Sequence, residues 1–141
     1  MNKKFTIYTD GGARGNPGPA GIGVVIRNEQ GEVLDEISKY IGETTNNQAE
    51  YQAVVEAMKK SEKLAGNDSK KTELDFNLDS ELVVKQLNGD YKVRSKELQP
   101  LFVKIYNSTL SFKKVKFKHV RREKNKEADK LANQAMDRGD N

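Results

Sequence analysis

Four acidic side chains of the sequence stand at points where a fold can bring them together. Asp10 and Asp79 each end an alternating apolar run, whereas Glu50 and Asp129 lie within helical patterns. Carboxylates are hard oxygen ligands, and such a group with few competing side chains favours Mg²⁺ or Mn²⁺. The sequence therefore predicts a metal site, provided that the fold gathers the four residues. Taken singly, each residue has an ordinary alternative as a turn, a helix cap or a solvated helix position.

The length and composition set the limits of the prediction. The chain has 141 residues, the size of one domain, so we expect residues 1–141 to form a single unit. Because cysteine is absent, a disulfide framework, a thiolate zinc site and a cysteine nucleophile are excluded. Neither a signal-peptide pattern nor an apolar run of membrane-spanning length is present. We expect a cytoplasmic monomer that needs no protein partner.

Positive charge is concentrated near the end of the sequence. The formal net charge is only +4, but the stretch from Lys113 to Lys126 carries eight Lys or Arg residues and one Glu. Such a run is often no more than a solvated strand edge and loop. Its position just before Asp129 gives a second interpretation, in which these residues contact the phosphates of a nucleic acid.

Apolar periodicity predicts the elements that must position these residues. The predicted strands cover 3–10, 20–27, 31–41, 71–79 and 115–120, and the predicted helices cover 47–65, 80–87, 95–111 and 125–136. In the third helix Leu110 is expected to face inward. The order βββαβααβα indicates an α/β fold in which a five-stranded mixed sheet has three antiparallel strands, then two parallel ones, with helices on both faces.

Four segments of the sequence then suggest a family. They read TDGGARGNPGPAGIGVV, TTNNQAEYQAVVEAM, NLDSELVVKQL and REKNKEADKLANQAM. In this order they resemble the type 1 ribonuclease H family across essentially the whole chain. The resemblance implies a ribonuclease H-like fold and an endonuclease that cuts the RNA strand of RNA–DNA hybrids without sequence specificity. It also implies two Mg²⁺ ions, with Mn²⁺ as a substitute, held by Asp10, Glu50, Asp79 and Asp129, of which Asp10 bridges both ions.

The resemblance further implies a set of substrate contacts. Three residues would read the sugar edge of the hybrid, where the RNA 2′-hydroxyl distinguishes RNA from DNA; they are Gly11, Asn16 and Asn46. Thr45, Asn47 and Ser80 are polar and adjacent to the acidic residues, so they would hold phosphates of the DNA strand. Helix capping is an equal alternative, in which Thr45 or Asn46 caps the first long helix and Ser80 the second.

The sequence departs from the family pattern in two places. Many relatives carry a mobile histidine before the last carboxylate, whereas His119 here continues a strand pattern, so we expect Arg122 to take the mobile role. A Trp- and Lys-rich handle of some relatives is missing, and we expect no extra N-terminal hybrid-binding module. We therefore expect affinity to come from the basic stretch that starts at Lys113, from Tyr91, which alternatively packs in the core, and from Lys85, Lys92, Arg94 and Lys96.

Two other functions compete with the hybrid-cutting enzyme. A nuclease of the same fold would cut double-stranded RNA, which shares the A-like sugar edge of the hybrid. A non-catalytic module would bind nucleic acid without cutting it. All four carboxylates argue against the second alternative, because concentrated negative charge repels phosphates.

Overall fold

Five strands and four helices make up the part of the chain that the computed structural model describes, residues 3–139. The elements, in chain order, are β1 (Lys3–Ala13), β2 (Gly18–Arg27), β3 (Val33–Thr44), α1 (Asn46–Ala65), β4 (Thr72–Leu78), α2 (Glu81–Leu87), α3 (Gln99–Thr109), β5 (Lys114–His119) and α4 (Lys126–Arg138). Short 3₁₀ segments lie at Gly66–Lys71 and Arg122–Lys124. The order βββαβααβα predicted from the sequence is confirmed.

The strands form one sheet in the order β3-β2-β1-β4-β5. β1 and β3 each run antiparallel to β2, whereas β4 runs parallel to both β1 and β5. The parallel register places Thr9 beside Leu78. Since the next residues are Asp10 and Asp79, the topology brings these two carboxylates to the same end of neighbouring strands.

Helices cover both faces of this sheet, as predicted. Inward-facing residues of β1 and β4, such as Ile7 and Phe76, are fully buried in the core cluster together with Tyr51 of α1. On the opposite face α4 packs against β1, β2 and β3. The contact is close because α4 presents small buried residues there, which are Ala128, Ala132 and Ala135.

Local sequence signals explain where α1 begins and ends. The Thr45 side chain accepts a hydrogen bond from the Gln48 backbone N–H, and the Gln48 side chain reaches back to the Thr45 backbone, which is a capping box. At the other end Gly66 has a φ of 56°, a value that glycine adopts without steric cost. This cap fixes the helix that carries Glu50.

The structure corrects three details of the sequence prediction. α3 begins at Gln99 and ends at Thr109, so Leu110 falls in the turn that follows and is 57% exposed, not turned inward. β5 covers Lys114–His119, so it begins and ends one residue earlier than the predicted strand at 115–120. Tyr91 is 49% exposed and lies under the Lys85 ammonium, so the alternative in which it packs in the core is wrong.

Two expected absences concern the described part of the chain. Between α2 and α3 the residues form turns and no additional helix, in agreement with the missing handle. No helix within residues 3–139 is long and apolar enough to cross a membrane.

Candidate active site

The fold brings the four acidic residues singled out in the sequence to one cleft. Asp10 comes from β1, Asp79 directly follows β4, Glu50 lies near the start of α1, and Asp129 lies in the first turn of α4. All four line the same cleft, together with Arg122. β1 continues to Ala13, so Asp10 marks the end of the parallel pairing with β4 and not the end of the strand itself.

Asp10 holds a proton more tightly than an ordinary aspartate. Burial is the largest cause, followed by the charge of Asp79 and a hydrogen bond with Asp129, and together these raise the pKa of Asp10 to about 8. Burial disfavours the charged carboxylate, and neighbouring negative charges add to that effect. A positive charge at this position would relieve both costs.

The pKa of Glu50 is also raised, but two neighbouring residues act to lower it. Burial raises the pKa of Glu50 to about 7, although a hydrogen bond with Ser80 and the nearby charge of Arg122 act to lower it. Its Oε2 atom is buried and has no hydrogen-bond partner. A buried acceptor without a donor costs free energy, so this oxygen is suited to a ligand that supplies positive charge.

The donor chemistry of the cleft fits a divalent cation. Four carboxylates supply hard oxygen ligands, and the unpartnered Glu50 Oε2 is one of them. As the side chains stand, no group of three or more acidic, histidine or cysteine residues within the described part of the chain has an arrangement that would hold a metal ion.

Asn125 organises this cleft, although the sequence reasoning missed it. Its side-chain N–H donates to the Thr9 carbonyl oxygen at 2.9 Å and to Asp79 Oδ2 at 3.2 Å. Its backbone carbonyl accepts from the Asp129 N–H at 3.1 Å. One buried residue therefore links the strand of Asp10, the carboxylate of Asp79 and the helix of Asp129. Its only sequence signal was a position at the start of the predicted last helix.

Asn133 was also missed, and it contacts Asp129 from the next turn of α4. Its side-chain N–H donates to the Asp129 carbonyl oxygen at 2.9 Å and to Asp129 Oδ1 at 3.2 Å. Arg14, in the Gly-rich loop, reaches Asn133 at 3.5 Å and forms an ion pair with Asp137 at 2.6 Å. The i, i+4 spacing of Asp129 and Asn133 is the sequence signal that would have identified the pair.

Two of the three predicted sugar-edge residues line the same cleft, and the third lies beside it. Gly11 and Asn46 line it with the carboxylates. Asn16 accepts a hydrogen bond from the Asn46 backbone N–H at 3.1 Å, and the Asn46 side chain accepts one from the Ala13 N–H at 2.8 Å. Gly11 is buried, and a side chain there would collide with the Ala49 backbone, so close packing against α1 also requires a glycine at this position.

Of the three predicted phosphate-binding residues, two cap helices and one is exposed to solvent. Thr45 caps α1 and Ser80 caps α2, where Ser80 Oγ accepts from the Val83 N–H at 3.3 Å. Of the two cap candidates for α1, Thr45 is the correct one. Asn47 is exposed and lines a neighbouring cleft with Asn16 and Thr45. The structure thus confirms the capping role of Thr45 and Ser80, and a substrate role for these residues stays a prediction.

Arg122 and His119 differ in their relation to the carboxylates. Arg122 begins the 3₁₀ segment between β5 and α4, lines the acidic cleft, and lies close enough for its charge to lower the pKa of Glu50. His119 ends β5, as the strand pattern predicted, and is not among the residues of that cleft. The geometry therefore favours Arg122 as the residue that acts beside the carboxylates.

Comparison with known proteins agrees with this geometry. The profile of the family described as "Reverse transcriptase-like" matches residues 8–135. A bifunctional protein of Mycobacterium tuberculosis is 40% identical over 135 residues, which cover 95% of this chain and 36% of that protein. Ribonuclease HI of Halobacterium salinarum is 37% identical over 92% of this chain and 63% of its own length. The chain thus spans about a third of the bifunctional relative and under two thirds of the ribonuclease HI.

Solved structures extend the match to whole chains. LC11-RNase H1, isolated from compost, superposes with a TM-score of 0.90 at 49% identity, covering 98% of both chains. The same relative in complex with an RNA/DNA hybrid superposes with a TM-score of 0.90 at 48% identity, covering 95% of this chain and 97% of that one. With a family profile over most of its length and relatives matched from end to end, the chain belongs to the type 1 ribonuclease H family.

Proposed function

We propose that this chain is an endoribonuclease that hydrolyses the RNA strand of RNA–DNA hybrids without base-sequence preference. The observation that carries the proposal is the convergence of Asp10, Glu50, Asp79 and Asp129 with Arg122 in one cleft. Membership of the ribonuclease H family and the hybrid complex of the LC11 relative support the choice of substrate. The chain would act as one domain, because a single sheet joins all five described strands, and as a monomer.

The four carboxylates would hold two Mg²⁺ ions, with Mn²⁺ as a substitute. When bound, such a pair of ions supplies an activated water and neutralises the charge that develops on the phosphate and on the leaving 3′-oxygen. Asp10 would contact both ions, as the family resemblance implies, and the nearby Asp79 and Asp129 both contribute to its raised pKa. Glu50 contributes its unpartnered Oε2.

Other residues of the chain orient these ligands. Asn125 donates to Asp79 Oδ2 and Asn133 donates to Asp129 Oδ1, so each amide fixes one carboxylate oxygen and leaves the other available. Hydrogen bonds of this kind to ligand carboxylates restrict their rotation and tune their affinity. The chain therefore provides a preorganised cleft at the end of two parallel strands.

Arg122 would act on the phosphate side of the cleft. A guanidinium stays protonated near neutral pH and cannot shuttle protons, but it attracts phosphate oxygens and lowers the pKa of Glu50. We infer that it draws the scissile phosphate or the product phosphate toward the carboxylates. In this role it replaces the mobile histidine of many relatives.

Selection of a hybrid would depend on the residues around the cleft mouth. Gly11, Asn16 and Asn46 would contact the sugar edge, where a 2′-hydroxyl offers both a donor and an acceptor. Thr45, Asn47 and Ser80 would hold phosphates of the DNA strand. The hydrogen bonds among Ala13, Asn16 and Asn46 support this, because they fix the loop against α1 before substrate arrives.

A direct test incubates labelled RNA with the protein in Mg²⁺, in Mn²⁺ and in EDTA. The RNA is annealed to DNA, annealed to RNA or left single-stranded. We expect internal cuts that need the metal and occur only in the RNA annealed to DNA. Equal cutting of duplex RNA would widen the substrate class, and no cutting by folded protein would identify a binding module instead.

A further inference from the structure

β5 carries a row of lysines on the face of the sheet that is turned away from the core. Val115 and Phe117 pack against the core cluster, so the alternating residues Lys114, Lys116 and Lys118 point to the opposite side. All three lysines are exposed. We call these three residues the β5 lysine row.

The β5 lysine row lies on a part of the sheet beyond the strands against which α4 packs. On this face α4 contacts β1, β2 and β3. β4 and β5 lie at the other edge of the sheet. Two acidic residues lie beside the row in the register, Glu73 opposite Lys114 and Asp75 opposite Lys116. Asp75 pairs with Lys4 at 3.0 Å, and Glu73 forms no ion pair with Lys114. Within residues 3–139 none of the three lysines has an ion-pair partner, so their charge is available to a ligand.

The same face leads directly to the acidic cleft. Lys118 lies opposite Asn77, which is two residues before Asp79 on β4. Strand geometry puts Lys118 roughly 8 Å from Asp79 and each further lysine about 6.6 Å farther away. The backbone of a nucleic acid bound at the cleft would therefore pass along this row beyond the cleavage position.

We propose that the β5 lysine row binds the phosphate backbone of the substrate outside the cleavage position. The inference rests on the proposed function for its ligand and adds a contact surface for a chain that lacks a helical handle. Lysines at alternate positions of a strand act as separate point charges, which suits a repeating phosphate backbone and carries no base specificity. The ligand is nucleic acid that continues past the cut, either as duplex or as a single strand.

The test compares two triple variants that remove the same charge. One is Lys114→Gln with Lys116→Gln and Lys118→Gln, and the control replaces the exposed residues Lys63, Lys71 and Lys104 by Gln. Binding is measured in EDTA over a range of salt concentrations. The probes are a short hybrid and the same hybrid extended at either end, once as hybrid and once as single-stranded overhang.

We expect the extended hybrid to bind more tightly than the short hybrid to the wild-type chain and to the control variant. The row variant should bind both probes equally. For the extended probe, the slope of log K against log salt should fall by about 2 to 3 in the row variant, since each lost phosphate contact lowers it by about 0.7 to 0.9. The overhang and duplex probes identify which form of nucleic acid is bound. Equal slopes in the two triple variants, or no gain from any extension, would overturn the proposal.

Cleavage is measured separately on the short hybrid in Mg²⁺. The row variant is compared with the wild type at saturating protein, where weaker binding no longer limits the rate and only steps in the acidic cleft do. If the wild-type chain binds the extended probe through the row but cuts nothing, the nuclease proposal fails while the contact surface stands. The two proposals can therefore fail independently.

Discussion

Asp10 and Glu50 are held in positions where their negative charge is unfavourable. Burial is the main cause for both, and it raises the pKa of Asp10 to about 8 and the pKa of Glu50 to about 7. Asp79 and Asp129 add repulsion at Asp10. A cation bound by these residues would offset the repulsion between their charges, so the arrangement that costs stability would favour metal binding.

Replacement of Arg122 should alter both the rate and its pH dependence. Arg122→Ala removes a charge that lowers the pKa of Glu50, so hybrid cleavage should need a higher pH than in the wild type. Turnover should fall roughly tenfold, because a charge-assisted contact is worth about 1.5 kcal/mol. Rate profiles against pH give the measurement, with Arg122→Lys as the variant that restores the charge and Arg121→Ala as the neighbouring control. An unchanged profile, together with slower cleavage by His119→Ala, would refute this role.

Replacement of Asn125 should weaken metal binding more than it lowers the stability of the fold. Asn125→Ala removes the donor to Asp79 Oδ2 and to the Thr9 carbonyl, so the carboxylate is free to rotate. The metal concentration needed for half-maximal rate should rise about 10- to 100-fold. Asn67→Ala, at an exposed position, serves as the control. A lower melting temperature with an unchanged metal requirement would show that Asn125 is only structural.

At the residue scale the sequence predicted which carboxylates meet in the cleft better than which side chains support them. The four carboxylates were identified because each belongs to a motif, and Arg122 because of its spacing from Asp129. Asn125 was missed because its partners are set by tertiary contacts, in one case across 46 residues. Asn133 was missed although its spacing from Asp129 is a local helical signal. A single sequence does not show which polar side chain will lie beneath another.

The close contact between β2 and α4 holds Asp129 over the sheet. A Cβ at Gly23 would collide with the Ala128 carbonyl oxygen and lie 2.8 Å from the Ala132 nitrogen. Gly23 lies opposite Asp10 in the β1–β2 register. The close approach therefore sets the distance between the strand of Asp10 and the helix of Asp129.

A methyl group at this contact should therefore be costly. Gly23→Ala must push α4 away from the sheet, and we expect a loss of about 3 kcal/mol in the free energy of unfolding together with reduced cleavage. Gly12→Ala is the matched control, because the nearest atom to its Cβ would be 3.8 Å away. Urea unfolding of both variants gives the comparison. Equal stability of the two would mean that α4 can shift without cost.

The elements themselves were largely predictable from the sequence. Alternation and helical spacing gave all nine in the right order, because each buries one apolar face against the sheet or against another helix. Boundaries failed where tertiary contacts decide them. β1 extends to Ala13 because β2 continues to pair with it beyond Asp10. Leu110 is exposed because α3 ends at Thr109, two residues before the predicted end of the helix.

The stability of the whole molecule should depend on pH through the acidic cleft. The pKa of Asp10 rises from 3.8 to about 8 on folding, so the folded state binds this proton more tightly than the unfolded state does. Without metal, the contribution of Asp10 to stability is therefore present at low pH and is lost as the pH rises through about 8. Glu50 adds a change of the same sign that is complete near pH 7.

The variant Asp10→Asn isolates this effect. In EDTA it should be more stable than the wild type by about 1 to 3 kcal/mol near pH 8.5, and the difference should shrink toward pH 5.5. Asp68→Asn, which removes an exposed carboxylate paired with Lys3, should show no such trend. Equal stability of Asp10→Asn and wild type at both pH values would contradict the repulsion described above.

Single-turnover cleavage of a labelled RNA–DNA hybrid by the four carboxamide variants is the measurement that tests the account most directly. Asp10→Asn, Glu50→Gln, Asp79→Asn and Asp129→Asn are compared with wild type and with Asp68→Asn in Mg²⁺. Each of the four should lose at least about 100-fold in rate while Asp68→Asn does not. Asp10→Asn should bind the hybrid as tightly as wild type or more tightly, since it removes a negative charge. Wild-type rates in any of the four folded variants would contradict the claim that these carboxylates act together.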